Sequence, residues 1–471
     1  MSTAEHALPG ARDRLGARAW VLLAVLSGAI FLEGADVSMM GVALPSIRAD
    51  LGMSTGSLQW VVSAYVLGYG GFVLLGGRVG DLVGRRRLFL SALAAFVVLS
   101  GVGGLAQDGW VLVLARFLTG VSAGFMTPVG LSIITTSFPE GRLRDRALLV
   151  YAGAAAAGFS LGLVLSGLLT QIDWRWVFFA PVLMASVLLA VAPRAIPEDE
   201  PSQPGGRFDL PGALALTTGM LLVVYAIVEA PDAGWGATLA VGAAGVAALA
   251  AFVAFERRAA APLVRLGLLR TASVTRANLA AVLFIGSFVA FQFVAVLYLQ
   301  ELRGWSALET GVALLPVGID AILAPTLTPR LVQRFGLPRV ILAGLVLAAA
   351  GYALFLQVGL DSPYAAMLPT MILAGLAFTL VYGPLTIAAT DGVADAEQGL
   401  ASGLFSSAVQ LGAALGLAVV AAIVVAVTGD ASDPGARLDG YRAGLLVPVA
   451  GVALATAVTL PGALRGSRRV H

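Results

Sequence analysis

Residues 76–106 read GGRVGDLVGRRRLFLSALAAFVVLSGVGGLA. The second half of this stretch is apolar on every face, without the alternation that a lipid-facing strand needs, so it reads as a membrane-spanning helix and not as part of a barrel. The first half sets Arg78, Arg85, Arg86 and Arg87 among glycines beside Asp81, which marks a short basic loop kept on the cytoplasmic side. Outward from here the same alternation of apolar run and short loop continues in both directions. It gives about fourteen spans of about 20 residues: 18–45, 57–78, 88–107, 110–136, 147–170, 176–193, 210–230, 237–255, 277–300, 307–328, 338–358, 363–388, 398–428 and 441–462.

Composition agrees. The 471 residues are 59% hydrophobic and 12% charged, against roughly 25% charged in a soluble domain, too few charges to cover a water-facing surface. The 57 glycines suit helices that pack closely in lipid. There is no Cys, which removes disulfides, thiolate metal sites and Cys nucleophiles. The two histidines, His6 and His471, lie at the chain ends, so His-based catalysis and His metal sites are excluded. All 29 basic residues are Arg, which rules out Schiff-base chemistry and a phosphate-loop Lys. A net charge of +2 from scattered Arg is no nucleic-acid footprint. GVSAG (120–124) and GFSLG (158–162) match a hydrolase pattern but sit inside spans with no His near either. The expectation is an all-α integral membrane protein that is not an enzyme and holds no cofactor or metal.

The stretch PRAIPEDEPSQPGGRFD (193–209) is rich in Pro and charge and reads as a loop joining two halves. With the N-terminus inside, 23 Arg fall in cytoplasmic segments and five outside (Arg48, Arg175, Arg303, Arg437, Arg442), while Arg116 lies within a span. That asymmetry places both termini in the cytoplasm. Arg12, Arg14 and Arg18 ahead of an apolar run imitate a secretory signal, but the run is long and carries Glu33 and Asp36, so it reads as a retained span. GGRVGDLVGRRRLFL (76–90) is echoed by TPRLVQRFGLPRVIL (328–342) when Gly84 is laid on Gly336. The offset of 252 residues exceeds what six helices occupy by about one helix pair, so the expected units are a six-helix bundle over 1–193, a linker and inserted pair over 194–262, and a second bundle over 263–471. Parallel repeats of this kind place a substrate site between the halves near the midplane.

At these residues the chain resembles the major facilitator superfamily, and within it the fourteen-helix drug/proton antiporter branch. GGRVGDLVGRRR is similar to the family loop motif GxLaDrxGrR: Gly77, Asp81, Gly84, Arg85 and Arg86 match, and the resemblance implies that this loop governs rocking of the halves. ADVSMMGVALP resembles the first-span motif LDxTIVNVALP, with Asp36 on the acid and Gly41 where Asn is usual. Glu33 lies three residues earlier, on nearly the same face and about 4.5 Å along the axis. ARFLTGVSAGFMTP (115–128) resembles the fourth-span motif through Arg116, Gly120 and Pro128. GFSLGLVLSGLLT resembles the antiporter motif GxxxGPxxGG through Gly158, Gly162 and Gly167, with Leu163 in the place of Pro and Ser166 in the place of Gly.

An ionised acid at the bilayer centre costs about 2.5–3.5 kcal/mol or more, a cost that a proton removes, so Asp36 and Glu33 are the expected proton carriers. Arg116 needs an anionic partner or a path to the cytoplasmic face; pairing with Asp36, pairing with Glu33 and snorkelling stand as alternatives. Asp320 is read either as a further intramembrane acid or as a helix-end residue. Tyr65, Gln292, Tyr298, Tyr382 and Gln410 are polar residues within spans that, with Asp320, are expected to line the substrate cavity. The resemblance implies a monomeric secondary transporter of a bacterial inner membrane, exporting small amphipathic or lipophilic compounds such as drugs against an inward flow of protons by alternating access. Proton symport or facilitated uptake of a small metabolite is the alternative that Leu163 keeps open.

Overall fold

The computed structural model describes residues 16–138, 142–198, 210–228, 230–258, 271–324, 326–391, 398–429 and 433–466, together with Gly267 and Val393; most of the expected linker, 199–209, lies outside the described residues. Every regular element among the described residues is helical. This follows from the sequence, because a backbone in lipid must satisfy its polar groups internally and a helix does so within one segment.

The chain begins with α1 (Ala17–Leu51), the short α2 (Thr55–Leu58), α3 (Trp60–Val83), α4 (Arg85–Gly104), α5 (Gly109–Ser137), α6 (Arg142–Ile172) and α7 (Trp176–Ala195). α1 packs along α6, α3 along α5, and α4 against α5 and α7. Next come α8 (Leu210–Val228) and α9 (Ala230–Glu256), which lie against each other. The remainder is α10 (Ala272–Leu297), α11 (Ala307–Leu314), α12 (Asp320–Leu323), α13 (Leu327–Phe335), α14 (Leu337–Phe355), α15 (Tyr364–Thr390), α16 (Gln398–Thr428) and α17 (Pro434–Gly466). Here α10 packs on α16 and α17, and α14 on α15 and α17. Two seams join these groups, α3 against α16 and α6 against α11, and α8 leans on both α3 and α16. Eleven of the described helices are long and apolar enough to cross a membrane, and Leu214–Val223 and Ala307–Ile319 are shorter apolar helices.

The C-terminal group departs from regular α-helix in two places. The span expected over 307–328 is broken: α11 gives way to a 3-10 turn over Leu315–Ile319, then α12 and α13. Pro316 inside the turn has no N–H to continue the α-helical ladder. α10 ends in a π-helical turn, Tyr298–Leu302; the extra residue per turn re-aims the side chains beyond it.

The sequence echo has a backbone counterpart. Gly84, between α3 and α4, has φ 105° and ψ 131°, and Gly336, between α13 and α14, has φ 81° and ψ 153°. Both are sharp helix-to-helix corners in a region that side-chain-bearing residues avoid.

Candidate functional site

Three side chains of the N-terminal helices bring charge into the apolar interior. Asp36 on α1 and Arg116 on α5 are 0% and 1% exposed, and Arg116 Nη1 donates to Asp36 Oδ2 at 2.6 Å. The structure thus selects the Asp36 pairing among the three alternatives for Arg116. Arg116 is held from two further directions: its Nε donates to the Val61 carbonyl at 3.0 Å, and its guanidinium lies over the Tyr65 ring, 4.4 Å from the centroid. A charge-assisted bond in so dry a place is strong once made, and removing either partner leaves an uncompensated charge.

Glu33, one helical turn earlier and 8% exposed, has different company. It accepts a hydrogen bond from the hydroxyl of Thr127 on α5, and Tyr69 on α3 and Asp36 lie within electrostatic range. Tyr151 on α6 donates to the Thr127 carbonyl at 3.4 Å. Glu33 is therefore solvated by a hydroxyl, whereas Asp36 is neutralised by a cation. Neither Thr127 nor Tyr69 was legible as a site residue, since a lone Thr or Tyr in a span most often bonds its own helix or packs in the core.

The other expected residues fall into separate groups. Tyr65 is 1% exposed and belongs to the buried core around Arg116, with no open face. Tyr382 on α15 is 38% exposed and within electrostatic range of Glu33 across the seam. Gln410 on α16 lies against Gly70 of α3, where a Cβ would meet the Gln410 Cβ at 2.8 Å. Gln292 is half-buried on α10. Tyr298 is tied down away from the acids: it is 1% exposed, donates to the Gly359 carbonyl at 2.6 Å and accepts from Arg303 at 3.2 Å. Asp320 opens α12 within the broken span and is half-buried.

A feature that sequence reading missed is a train of aromatic rings across the seam. Phe159 of α6 meets Phe288 of α10 at 6.3 Å, Phe288 meets Phe378 of α15 at 4.8 Å, Phe378 stacks on Tyr382 at 5.1 Å, and Tyr382 meets Phe405 of α16 at 6.1 Å. Such offset and tilted pairs favour aromatic or amphipathic guests that can extend the stack.

Small residues four apart allow a close helix crossing, expected here between the halves, but the glycine motif makes it chiefly within the N-terminal group. Gly158 and Gly162 press onto α1 at Phe31, Ala35 and Ser38, inside the N-terminal group, and only Gly167 reaches the seam, where a Cβ would stand 2.7 Å from Leu308 Cα. The reason is register: residues four apart share the face toward α1, and Gly167 falls on another. Leu163, in the place of the expected Pro, leaves α6 unbroken, and its carbonyl backs Gly311.

In the loop motif, Gly84 makes the corner between α3 and α4. Arg86 donates to the Pro193 carbonyl at 2.6 Å and pairs with Glu198 at 3.3 Å, so the loop is bound to the end of α7, while Arg85 begins α4. The backbone of Gly77 and Asp81 lies in α3; the Asp81 side chain lies outside the described residues.

At the opposite end of the bundle an ion-pair cluster crosses between the two groups of helices. Glu301, in the π-helical turn, accepts from Arg48 of α1 at 2.9 and 3.0 Å and from Arg437 of α17 at 2.7 Å, and Gln300 donates to the Val42 carbonyl at 2.9 Å. The π turn supplies two consecutive side chains to α1.

This architecture is shared with solved transporters. The POT family transporter PepTSo superposes with a TM-score of 0.68 over 95% of this chain and 99% of the other at 16% identity, and the nucleoside transporter NupG with 0.67 over 94% and 98% at 12% identity, a likeness of fold alone. The sequence profile of the Major Facilitator Superfamily matches residues 26–417, and the chain belongs to that family. It is a multi-pass membrane transporter of small molecules and not an enzyme. Among similar proteins are the puromycin resistance protein pur8 of Streptomyces alboniger, 37% identical over 94% of this chain and 90% of the relative, and the cephamycin export protein CmcT of Amycolatopsis lactamdurans, 35% identical over 88% and 86%. The multidrug efflux pump LfrA of Mycolicibacterium smegmatis is 32% identical over 98% and 92%.

Proposed function

We propose that this protein exports small amphipathic or lipophilic compounds of the drug or antibiotic type in exchange for protons, by alternating access. The observation that carries the reading is the buried Asp36–Arg116 pair beside a hydroxyl-solvated Glu33, with an aromatic train across the seam. Two acids in a low-dielectric interior can each take a proton, and protonating Asp36 releases Arg116 from its partner. The proton is the coupling ion, and no cofactor takes part. Relatives named for resistance to, or export of, puromycin, cephamycin and other drugs support the direction and the substrate class.

In this reading the chain lies as a monomer in the bacterial cytoplasmic membrane with both termini inside, in keeping with the 23-to-five Arg asymmetry. Residues 1–193 and 263–471 are the rocking halves and 194–262 the inserted segment. The Glu301 cluster then lies at the outer end and the Asp81 loop at the cytoplasmic end, where it governs rocking. Gln292, Gln410, Tyr382 and Asp320 are assigned to the substrate path.

Drug-stimulated proton flux in proteoliposomes tests the proposal: wild type moves protons when drug is added, and Asp36→Asn does not. Export at the wild-type rate by Asp36→Asn overturns the coupling assignment. The unbroken α6 at Leu163 keeps uptake or symport as the second reading, and the sign of the imposed pH gradient that drives substrate accumulation separates the two.

A further inference from the structure

The helix pair α8–α9 is joined to the two groups of helices in unlike ways. The pair is first locked to itself: a Cβ at Gly219 would meet the Leu249 side chain at 2.7 Å, and one at Gly245 would meet the Val223 backbone nitrogen at 2.8 Å. Backbones packed this closely move as one element. Toward the N-terminal group the pair is fastened at three levels along α3. Thr217 of α8, 7% exposed, donates to the Gly71 carbonyl at 3.2 Å, and a Cβ at Gly71 would stand 2.5 Å from the Thr217 hydroxyl. Nearer the start of α3, the Tyr225 ring meets the Trp60 ring at 6.2 Å. Nearer its end, Leu75 is buried with Phe252 of α9, and Phe72 of α3 and Phe125 of α5 pack on them.

Toward the C-terminal group the pair faces α16. Contact is close where Leu404 of α16 packs on the cluster around Leu75 and Phe252. About four turns further along α16, Val419 and Ile423 are parted from Val223 and Ala226 of α8 and from Gly242 and Val246 of α9 by an open groove of about 550 Å³. A gap forfeits the dispersion contacts that bind packed helices, so this side of the pair resists displacement least. On α3 two neighbouring glycines take one helix each. α8 comes in at Gly71, whereas α16 comes in at Gly70, where a Cβ would meet the Gln410 Cβ at 2.8 Å and Ser407 donates to the carbonyl at 3.4 Å.

We propose that α8 and α9 travel with the N-terminal helices as one body during transport, and that α16 slides over the joint surface of α3 and α8 while the groove takes up the displacement. This rests on the alternating-access reading of the function and gives the inserted pair a place in it. The two moving units are then unequal: one comprises α1 to α9 and the other α10 to α17. Sliding of packed helices is a shear, and it is easiest across the surface with a gap beside it. The glycine step at Gly70 and Gly71 sets the line along which the moving surface meets the fixed joint.

Because the chain has no Cys, nitroxide labels can be attached to introduced cysteines without background. Val98 of α4, Val246 of α9 and Leu454 of α17 are 63%, 62% and 57% exposed, so a Cys at each disturbs little packing. Pulsed dipolar spectroscopy on the three double-labelled proteins in nanodiscs measures each distance at acid and at alkaline pH, with and without ethidium. The proposal requires the Val246–Leu454 and Val98–Leu454 distances to change together, by about 5 Å or one helical turn, while the Val98–Val246 distance stays fixed. A changing Val98–Val246 distance with a fixed Val246–Leu454 distance assigns the pair to the C-terminal unit and overturns the proposal. Change in all three distances makes the pair a body of its own and overturns it as well; both results leave alternating access intact. Three constant distances under every condition overturn alternating access, and the proposal with it.

Discussion

The two sides of the central seam bring unlike chemistry to the same place. On the N-terminal side the wall is ionic and hydroxylic: Asp36 and Arg116 neutralise each other at 2.6 Å, and Glu33 is held by the Thr127 hydroxyl with Tyr69 in electrostatic range. On the C-terminal side stands a stack of rings, Phe288, Phe378, Tyr382 and Phe405. The first kind of wall is expensive to bury and sharp in its demands, because each ion requires a particular partner. The second is cheap to bury and tolerant, because a ring accepts many guests at several angles. The proposed exchange of a proton for varied lipophilic molecules is well served by keeping these tasks on different helices.

The largest test of that division is at the ion pair. Arg116→Ala leaves the buried Asp36 without its partner, at a cost of about 3–5 kcal/mol, and is expected to abolish both folding yield and transport. Asp36→Asn with Arg116→Met removes both charges and is expected to restore the melting temperature in detergent without restoring proton flux. Recovery of flux in the double variant would break the claim that the ionic wall carries coupling.

At the end of the bundle opposite the Gly84 corner the division is crossed, since Glu301 draws Arg48 and Arg437 to one carboxylate from the two groups of helices. Glu301→Ala leaves two half-buried arginines without it and removes charge-assisted bonds worth about 1.5–3 kcal/mol each. The chain has no Cys, so a single Val42→Cys reports on this end without background; its labelling by a membrane-impermeant maleimide is expected to rise several-fold in Glu301→Ala. Unchanged labelling would mean that Gln300 and packing hold this end alone.

The smallest expected effect is on the aromatic wall. Tyr382 is 38% exposed, so Tyr382→Ala is expected to leave the melting temperature within a few degrees. Loss of one stacking partner, about 1 kcal/mol, weakens binding of an aromatic drug roughly fivefold and leaves proton leak unchanged. A matching loss of proton coupling would show that the two walls are not separable.

How far each wall could be read in advance depends on its physics. Asp36, Glu33 and Arg116 stood out because a charge in an apolar run is costly wherever it points, so composition alone flags it. The choice of Asp36 as the partner needed the distance, because Asp36 and Arg116 are 80 residues apart in sequence and spacing says nothing about which acid Arg116 meets. The rings did not stand out, since helices apolar on every face carry no signal of which face meets the seam. Arg48 and Arg437 were counted as loop charges for the same reason: the count uses number and side, and is blind to the carboxylate between them. The fold was legible from hydropathy and from the echo of Gly84 in Gly336, whereas the break at Pro316 and the π turn at Tyr298–Leu302 are local adjustments that a hydropathy window averages away.

The partner of Asp36 is an arginine, whose guanidinium stays charged throughout the physiological range. The ion pair therefore has two charge states only: neutral when Asp36 is ionised, and one positive charge when Asp36 is protonated. Any step that carries the protonated pair along the membrane normal feels the membrane voltage, up to about 2.3 kcal/mol per 100 mV for a full crossing. Potassium-diffusion potentials at fixed pH are thus expected to change the rate of turnover, and a lysine or histidine in this position would not have guaranteed that sensitivity.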